Sequence, residues 1–206
     1  MKIHRHSSYT EIPAHAWNAL PGTDNPFLRH EFLLALETSG SATPATGWTP
    51  LPITVVSDEG RTLGAVPLWL KTHSYGELVY DFAWAQAYTR AGLRYYPKVI
   101  AAVPFSPVTG RRLLVAADAD RATVCAALAD GARALADDTE ASSLHWLFTD
   151  DADTATLEQL GYLHRTSYID FLRDHFDMPA AATQIFRSAP SGFWGQPAEN
   201  LSVAEC

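Results

Sequence analysis

Two carboxylates with aromatic neighbours are the residues of this chain best suited to chemistry on an amine. Glu77 and Asp81 lie four residues apart, close in the sequence to Tyr75, Tyr80 and Trp84. A carboxylate can hold an ammonium group, and a carboxylate whose pKa is raised by burial can act as a general base. A second interpretation stays open, because most acidic residues are exposed or simply order a loop by accepting hydrogen bonds.

Aromatic side chains in the same region are candidates for the lining of a ligand-binding groove. They are Tyr75, Trp84, Tyr95, Tyr96 and Phe105. The run also contains many prolines and glycines, which specify a backbone path, so we interpret it as a shaped surface and not as a flexible linker. For the Tyr95–Tyr96 pair a structural role is an equal alternative, since aromatic rings also close the end of a sheet.

A glycine and two arginines form a second candidate site, for the phosphates of a cofactor. Gly110, Arg111 and Arg112 precede a predicted helix, and the free amides at a helix start favour anions. However, Asp118 and Asp120 stand at that helix start. Their carboxylates would occupy the same amides and repel a pyrophosphate. The alternative interpretation is a capped helix beside a solvated arginine pair.

Histidine and cysteine give no pattern that predicts a metal centre or a reactive thiol. The chain has eight histidines, of which His4 and His6 share one face of a predicted strand without a third ligand at a recognisable spacing. His145 is interpreted as a structural or cleft-lining side chain. Cys125 lies on the apolar face of a predicted helix, where a thiol is normally inert, and Cys206 is terminal.

Composition excludes several classes of function. The chain has 206 residues, a net charge of -8 and a pI of about 5.4. We therefore expect no DNA partner, because binding to the phosphate backbone needs a basic face. No apolar stretch is long enough to span a bilayer, and no signal-peptide core follows the N-terminal charges. These features predict a cytoplasmic protein without a membrane span.

Hydrophobic periodicity predicts an α/β (α+β) sandwich in which helices flank a sheet, and the resemblance described below implies that this sheet is mixed and mostly antiparallel. The predicted strands cover residues 2–6, 51–57, 62–72, 98–105, 112–115, 143–149 and 162–171. The predicted helices cover residues 13–20, 25–40, 82–93 and 153–160, and a longer helix capped by either Asp118 or Asp120 continues to about residue 136. Pro67 removes one ladder hydrogen bond, which predicts a bulge or an edge position there.

The domain is predicted to span residues 1–176, and residues 177–206 are predicted to be a poorly structured tail. Pro179, Pro190 and Pro197 interrupt the tail, which shows no hydrophobic period. Its aromatic residues leave two interpretations open. The tail is either a segment that docks on the domain or a sequence that did not evolve for this fold.

Several longer motifs carry a family resemblance over residues 25–166. The most specific are Tyr75-Gly76-Glu77, Asp81-Phe82-Ala83-Trp84-Ala85, Gly92-Leu93-Arg94-Tyr95-Tyr96-Pro97-Lys98 and the run from Val103 to Leu114. Together they resemble the FemAB-like branch of the GNAT acyltransferases, the peptidoglycan biosynthesis or recognition group. The chain is similar to the first half of such a protein.

The resemblance implies a GNAT-like sandwich that transfers an acyl or aminoacyl group to an amine acceptor. Acyl-CoA or aminoacyl-tRNA would be the co-substrate, and no cofactor is expected to bind tightly. The acceptor would be a small molecule or a cell-wall precursor. Donor binding would belong to a second GNAT-like half, and the exposed interface left by its absence would favour a homodimer. Two alternatives stay open: a non-catalytic binding module, and a truncated, inactive half of a two-domain acyltransferase.

Overall fold

The computed structural model describes residues 1–79, 81–166 and 183–188. The helices are α1 (Ala14–Asn18), α2 (His30–Thr38), α3 (Phe82–Arg90), α4 (Arg121–Asp138) and α5 (Asp151–Gln159). The strands are β1 (Lys2–Arg5), β2 (Trp48–Pro50), β3 (Ile53–Val56), β4 (Thr62–Val66), β5 (Leu68–Lys71), β6 (Lys98–Ala101), β7 (Leu114–Val115), β8 (Ser143–Leu147), β9 (Leu163–Thr166) and β10 (Thr183–Ser188).

These strands form two sheets. The first has the order β1-β3-β4-β7 and the second the order β2-β5-β6-β8-β10-β9. Neighbouring strands are antiparallel except β6 and β8, which run parallel and are joined by a crossover that contains α4. The predicted sandwich with a mostly antiparallel sheet is confirmed.

Pro67 is the point at which one predicted strand divides between the two sheets. β4 ends at Val66 in the first sheet, and β5 begins at Leu68 in the second. Proline has no N–H to donate, so the ladder is interrupted there. Its carbonyl still accepts a hydrogen bond from the Ala102 amide at 3.3 Å. The single strand predicted over residues 62–72 is therefore wrong, although the interruption at Pro67 was placed correctly.

Helices cover both faces of the sheets, because strand side chains alternate in direction. Val99 and Ala101 of β6 pack in the core under α4, together with Leu128 and Ala132 of that helix. Ile100, between them, belongs to the opposite core. That second core is built from the N-terminal helices and the sheets, and its largest side chains are Trp17, Trp48 and Trp69. In the part of the chain that the structure describes, no helix has the length and apolar character needed to cross a membrane.

Asp120, one of the two acids from which the sequence predicts the cap, caps α4. Its carboxylate accepts a hydrogen bond from the Ala122 amide at 3.2 Å and from the Thr123 hydroxyl at 2.5 Å. Asp118 does not reach the helix start and pairs instead with Arg61 at 2.8 Å. Of these two acids, only Asp120 therefore places its carboxylate at the start of α4.

The helix predicted over residues 25–40 is two separate elements. The Asn25 side chain caps only a short 3-10 turn, Pro26–Leu28, by accepting from the Phe27 amide at 3.0 Å. Arg29 then has extended backbone, and α2 begins at His30. Asparagine followed by proline marks a helix start correctly but cannot specify how long the helix continues.

β10 lies within the segment predicted to be a poorly structured tail. It pairs with β8 and β9, both antiparallel, so the structure differs from the prediction at these residues. Threonine, isoleucine and phenylalanine favour strands, and this short run between prolines carries that preference. The predicted boundary at residue 176 lies outside the described residues and stays a prediction.

Candidate functional site

The segment between β5 and β6 begins and ends next to buried lysines. In the antiparallel pairing of the two strands, Lys71 stands directly opposite Lys98. Both side chains are fully buried. Like charges opposite one another destabilise a sheet, and burial adds a large desolvation cost. This register can be stable only if negative charge is brought to the strand ends.

The intervening segment supplies that charge from Glu77 and Asp81. The Lys98 ammonium lies 2.6 Å from Glu77 Oε2 and also forms an ion pair with Asp81 Oδ2. Both carboxylates are nearly inaccessible to solvent, with 3% exposure for Glu77 and 5% for Asp81. We refer to Lys71, Glu77, Asp81 and Lys98 as the lysine–carboxylate cluster. The structure thus brings together the two acids that the sequence singled out.

The two predicted groove tyrosines contribute hydroxyl groups to this cluster. Tyr95 donates a hydrogen bond to Asp81 Oδ2 at 2.6 Å. The Tyr96 hydroxyl lies 2.7 Å from Ser74 Oγ, which in turn accepts from Lys98 at 3.0 Å. These tyrosines therefore fix the positions of the charged groups.

Lys71 is held differently from Lys98. Its ammonium donates to the Tyr75 carbonyl at 3.1 Å and lies 3.8 Å from the centre of the Trp48 ring. Within the described residues it makes no direct ion pair. A carbonyl dipole and a cation–π contact therefore replace a carboxylate as its immediate partners.

Burial shifts the pKa values of the cluster in different directions. Desolvation raises the pKa of Glu77 to about 7, although the charge of Lys98 opposes the change. Desolvation also lowers the pKa of Lys71 to about 8, against the opposing charge of Glu77. Both groups therefore change charge near neutral pH, which is the range that suits proton transfer.

The pKa values of the other two members move the opposite way. Desolvation would raise the pKa of Asp81, but the Lys98 charge and the hydrogen bonds from Lys98, Ser74 and Tyr95 outweigh it and hold that pKa below its ordinary value. Desolvation would lower the pKa of Lys98, and the two carboxylates outweigh it in turn. Lys98 and Asp81 consequently stay charged while Glu77 titrates.

Besides Glu77 Oε2, which has only its ion pair with Lys98, three buried polar atoms at this site have no hydrogen-bond partner among the described residues. They are Glu77 Oε1, Asp81 Oδ1 and the indole nitrogen of Trp48. Gly76 stands beside this indole nitrogen, which would lie 3.3 Å from a Cβ added at that glycine. Buried polar groups are normally paired. The site therefore leaves two acceptors, on Glu77 and Asp81, and one donor, on Trp48, available to hydrogen-bond a ligand.

The other predicted groove residues lie at the surface of the same region. Tyr75 is 68% exposed, Trp84 47% and Phe105 45%. The Tyr75 ring lies 5.5 Å from Phe82, and the Phe105 ring lies 5.4 Å from Trp48. Tyr80 lies outside the described residues. The site is therefore a buried charged centre with exposed aromatic rings nearby.

His145 lies close enough to the cluster for the charge of Lys98 to affect its pKa. It sits on β8 opposite Ile100 of β6, and its Nε2 is 2.7 Å from Ser143 Oγ. Complete burial lowers its pKa to about 3, and the Lys98 charge acts in the same direction. The ring is therefore neutral, and it does not have the pKa of a base that works near neutral pH.

The second predicted site, at Gly110 to Arg112, is organised around a buried carboxylate. Asp153 of α5 accepts hydrogen bonds from the backbone amides of Arg112 and Leu113, at 2.6 and 2.8 Å. Its other oxygen accepts from the Arg121 guanidinium at 2.6 Å. We refer to Asp153, Arg112 and Arg121 as the Asp153 network. It connects the start of β7 to α4 and α5.

The Arg112 guanidinium is fully buried and points into the protein. It donates to the carbonyl oxygens of Leu147, Arg111 and Val108, at 2.9, 3.0 and 2.7 Å. Desolvation lowers its pKa to about 10, which still leaves it charged at neutral pH. Arg112 is therefore not exposed to solvent, and the interpretation of Arg111 and Arg112 as a solvated pair is wrong for Arg112.

Coenzyme A, which a GNAT-like fold implies, does not fit these groups. Gly110 already pairs through its amide with Phe148 O at 3.0 Å and through its carbonyl with the Asp150 amide at 3.2 Å. Asp153 takes the amides at the start of β7, and Asp120 takes the start of α4. Arg111 keeps partial exposure, with its guanidinium 3.6 Å from Asp150. A pantetheine arm and pyrophosphate would have to displace these carboxylates.

Lysine partners and a helix acid are the functional candidates that sequence reasoning missed. Lys98 belongs to one of the family motifs but was given no role of its own, and the sequence reasoning assigned no functional role to Lys71 or Asp153. The available signal was a lysine at the end of each of two apolar strands, with two acids between them. That signal becomes specific only when the strand register is known.

No further centre emerges from the metal-binding and thiol residues of the described part of the chain. Residues 1–79, 81–166 and 183–188 contain no group of three or more His, Cys, Asp or Glu arranged to hold a metal ion. Cys125 is buried within α4, and burial raises the pKa of its thiol to about 11. A thiol with that pKa is unreactive at neutral pH.

Comparison with known proteins identifies the family and the fold. The FemAB-like family model, described as peptidoglycan biosynthesis/recognition, matches residues 8–175. The predicted resemblance is confirmed by that match. No functionally curated protein matches the chain.

Two solved structures share the architecture at low sequence identity. Arylalkylamine N-acetyltransferase 2 from Aedes aegypti is 10% identical with a TM-score of 0.51, and the match covers 92% of this chain and 100% of that one. A polyamine N-acetyltransferase from Drosophila melanogaster is 15% identical with a TM-score of 0.52, covering 90% and 98%. The chain therefore has the fold of the GNAT acetyltransferases, and at these identities the likeness concerns the fold alone.

Proposed function

Since the chain belongs to the FemAB-like family of peptidoglycan biosynthesis and recognition proteins, we propose that it serves the acceptor side of an N-acyl transfer. The residues that carry this proposal are the lysine–carboxylate cluster and the aromatic side chains around it. The acceptor would be a small molecule or a cell-wall precursor that presents an amine. The family description and the N-acetyltransferase names of the fold neighbours support this class of reaction.

One observation carries the proposal: Glu77 is buried, ionisable near neutral pH, and has one oxygen without a partner among the described residues. A general base must bind the proton at the pH at which the enzyme works, and a pKa of about 7 meets that condition. Asp81 keeps its charge and holds the ammonium form of the acceptor before the proton is removed. The exposed rings of Tyr75 and Trp84 contact the rest of the acceptor.

The reaction proceeds by direct attack of the amine on the carbonyl carbon of a thioester or an ester. The Glu77 carboxylate accepts the proton that the amine loses, and a new amide bond forms as the bond to the thiol or alcohol breaks. The leaving group departs with the electron pair of that bond and takes up the second proton that the nitrogen loses, the first having passed from the ammonium group to Glu77. Backbone amides that donate to the carbonyl oxygen would stabilise the negative charge that develops there.

The donor is an acyl-CoA or an aminoacyl-tRNA that does not use the region of the Asp153 network. Carboxylates of this chain already occupy the amides that a pyrophosphate would need. Another surface of this chain, the same surface of a second copy, or a second GNAT-like half would present the donor. We thus propose that the donor and the acceptor bind at different surfaces. We also propose that the protein acts in the cytoplasm.

An acyl-transfer assay with matched variants tests the proposal. Purified protein is incubated with labelled acetyl-CoA or aminoacyl-tRNA and with amine-bearing peptides, and the labelled amide is measured. Glu77→Gln removes the base but keeps the shape, so we expect activity to fall by at least about a hundredfold, the usual contribution of a general base. Glu140→Gln, at an exposed acid, is the control and should keep full activity. Full activity of Glu77→Gln would exclude Glu77 as the base.

A non-catalytic recognition module is the second candidate, and the Asp153 network favours it. A domain with no room for a donor could still bind an amine and present it to a partner. Thermal-shift titration with acetyl-CoA separates the two functions, because a ligand that binds the folded state raises its melting temperature. An increase at saturating acetyl-CoA would exclude the module, and amine binding without any such increase or any transfer would favour it.

A further inference from the structure

Charge balance in the lysine–carboxylate cluster limits what can bind there. With all groups ionised, the cluster has two ammonium groups and two carboxylates, so its positive and negative charges are equal. An alkylammonium ion would add a positive charge to this buried centre. Uncompensated buried charge is costly, so the cluster disfavours a ligand that is only a cation.

Lys71 provides the location at which an anion would restore the balance. Its ammonium has only the Tyr75 carbonyl and the Trp48 ring as immediate partners within the described residues. The same tryptophan has a buried N–H with no hydrogen-bond partner there. The Lys71 ammonium therefore lies over the Trp48 ring, and the unpaired N–H belongs to the same tryptophan. Both groups are next to the loop that holds Glu77 and Asp81.

Phe105 covers this tryptophan in a strained conformation. Its φ of 60° lies in the left-handed region, which is unfavourable for a bulky residue. Its ring packs on Trp48, its amide donates to Gly76 O at 3.0 Å, and nearly half of the side chain is exposed. Displacement of Phe105 would relieve the strain and open the Trp48 edge to a ligand.

We infer that the acceptor is an amine that also carries a carboxylate, and that Lys71 and the Trp48 indole N–H bind that carboxylate. The inference rests on the proposed function and specifies its substrate class. The ammonium group of such a ligand pairs with the free oxygens of Glu77 and Asp81. The ligand as a whole is neutral, so the charge balance of the site is preserved when it binds.

Three small amines of similar length test the inference: 4-aminobutyrate, 4-aminobutanamide and butylamine. The first is a zwitterion, and the others keep the ammonium group without the carboxylate. Binding is measured by calorimetry and by the shift of the Trp48 indole N–H resonance in the wild-type protein. We expect 4-aminobutyrate to bind at least about tenfold more tightly than the other two, as for one hydrogen-bonded charge pair.

A lysine variant identifies the residue responsible. Lys71→Met should remove the preference for the zwitterion, while Lys2→Met, on the exposed strand β1, should retain it. If Lys71→Met does not fold, the indole resonance of the wild-type protein still decides the point. That resonance should move with 4-aminobutyrate and stay in place with butylamine.

The possible results distinguish this inference from the proposed function. Equal binding of all three amines would support an amine acceptor and overturn the carboxylate requirement. Tighter binding of 4-aminobutyrate with an unchanged Trp48 resonance would overturn the assignment to Lys71 and Trp48. Binding of none of the three would contradict the acceptor function, and the inference would fall with it.

Discussion

The lysine–carboxylate cluster and the Asp153 network are both buried sets of charges, yet they differ in completeness. Both Asp153 oxygens accept hydrogen bonds, and the Arg112 guanidinium reaches three carbonyl oxygens. In contrast, Glu77 and Asp81 each keep one oxygen without a partner in the described part of the chain. Complete pairing is what a structural role needs, whereas buried atoms left unpaired call for a functional explanation.

The two sets also differ in the elements that carry them. Asp153, Arg121 and the start of β7 lie on or beside regular elements of the domain. Glu77 and Asp81 lie on the connection between β5 and β6, and only their lysine partners lie on strands. Polar groups on a connection can separate without unfolding the sheet. The comparison therefore teaches that the closed set holds the fold together and the open set is placed to meet a ligand.

The largest effect is expected for Asp153→Ala. The substitution leaves two backbone amides and the Arg112 region without their acceptor, and breaking a buried ionic network costs about 3–5 kcal/mol. Urea unfolding monitored by tryptophan fluorescence measures the loss. Asp151→Ala, at an exposed acid on the same helix, should change stability little. Equal effects of the two substitutions would remove the distinction between the two sets of charges.

A smaller and pH-dependent effect is expected for Lys98→Met. Loss of the ammonium leaves two carboxylates buried without their counter-charge, at a cost of about 3 kcal/mol at pH 7.5. Protonation of those carboxylates at pH 5 should reduce the cost, because the neutral acids no longer need the lysine. Urea unfolding of wild type and variant at both pH values measures it. A cost independent of pH would mean that Lys98 acts mainly by packing.

Glu77→Gln should change the pH dependence of stability more than stability itself. Since the pKa of Glu77 rises from 4.5 to about 7 on folding, the folded protein binds a proton more tightly than the unfolded chain in that window. The stabilisation from this proton is complete below pH 4.5 and is lost as the pH rises to about 7. The free energy of unfolding of the wild type, relative to the variant, should fall by about 3 kcal/mol across the window.

A series of denaturation curves between pH 4 and 8 provides the measurement for this variant. The comparison uses the difference between wild type and variant, because His145 titrates in the unfolded chain within the same window and cancels in the difference. A flat curve for Glu77→Gln would place the pKa of Glu77 near its ordinary value.

The smallest effect is expected for Asp120→Ala, which removes the cap of α4. Loss of an N-cap hydrogen bond should lower the Tm by a few degrees. If Asp120 alone excludes a pyrophosphate, the variant should gain a thermal shift with acetyl-CoA. We expect no gain, because Asp153 still occupies the amides of Arg112 and Leu113, just before β7. A shift in the variant would show that the cap is the main obstacle.

The sequence predicted the parts of the molecule that depend on local pattern. Asp120 and the apolar face of α4 could be identified because capping and helical periodicity act within a few residues. The proximity of Glu77 to Asp81 could be expected for the same reason. The partners of these acids could not, since Lys71 meets Lys98 only through the register of β5 against β6. Register is set by the whole sheet.

Arg112 illustrates the limit most clearly. Next to Arg111, and before a helix, it has the sequence context of a phosphate-binding or solvated residue. Its backbone amide donates to Asp153, forty-one positions later, and its guanidinium donates to the carbonyl of Leu147 at the end of β8. The surroundings of this arginine are thus supplied by residues far away in the sequence that carry no recognisable motif. Such a pairing cannot be derived from one sequence alone.

The opposed positions of Lys71 and Lys98 carry a consequence for how this family can diversify. Without the acids that follow β5, the two strands would repel one another at their ends. The connection and the lysines must therefore be inherited together. A relative that has shortened this connection and lost both acids should have replaced at least one of the two lysines with an uncharged residue.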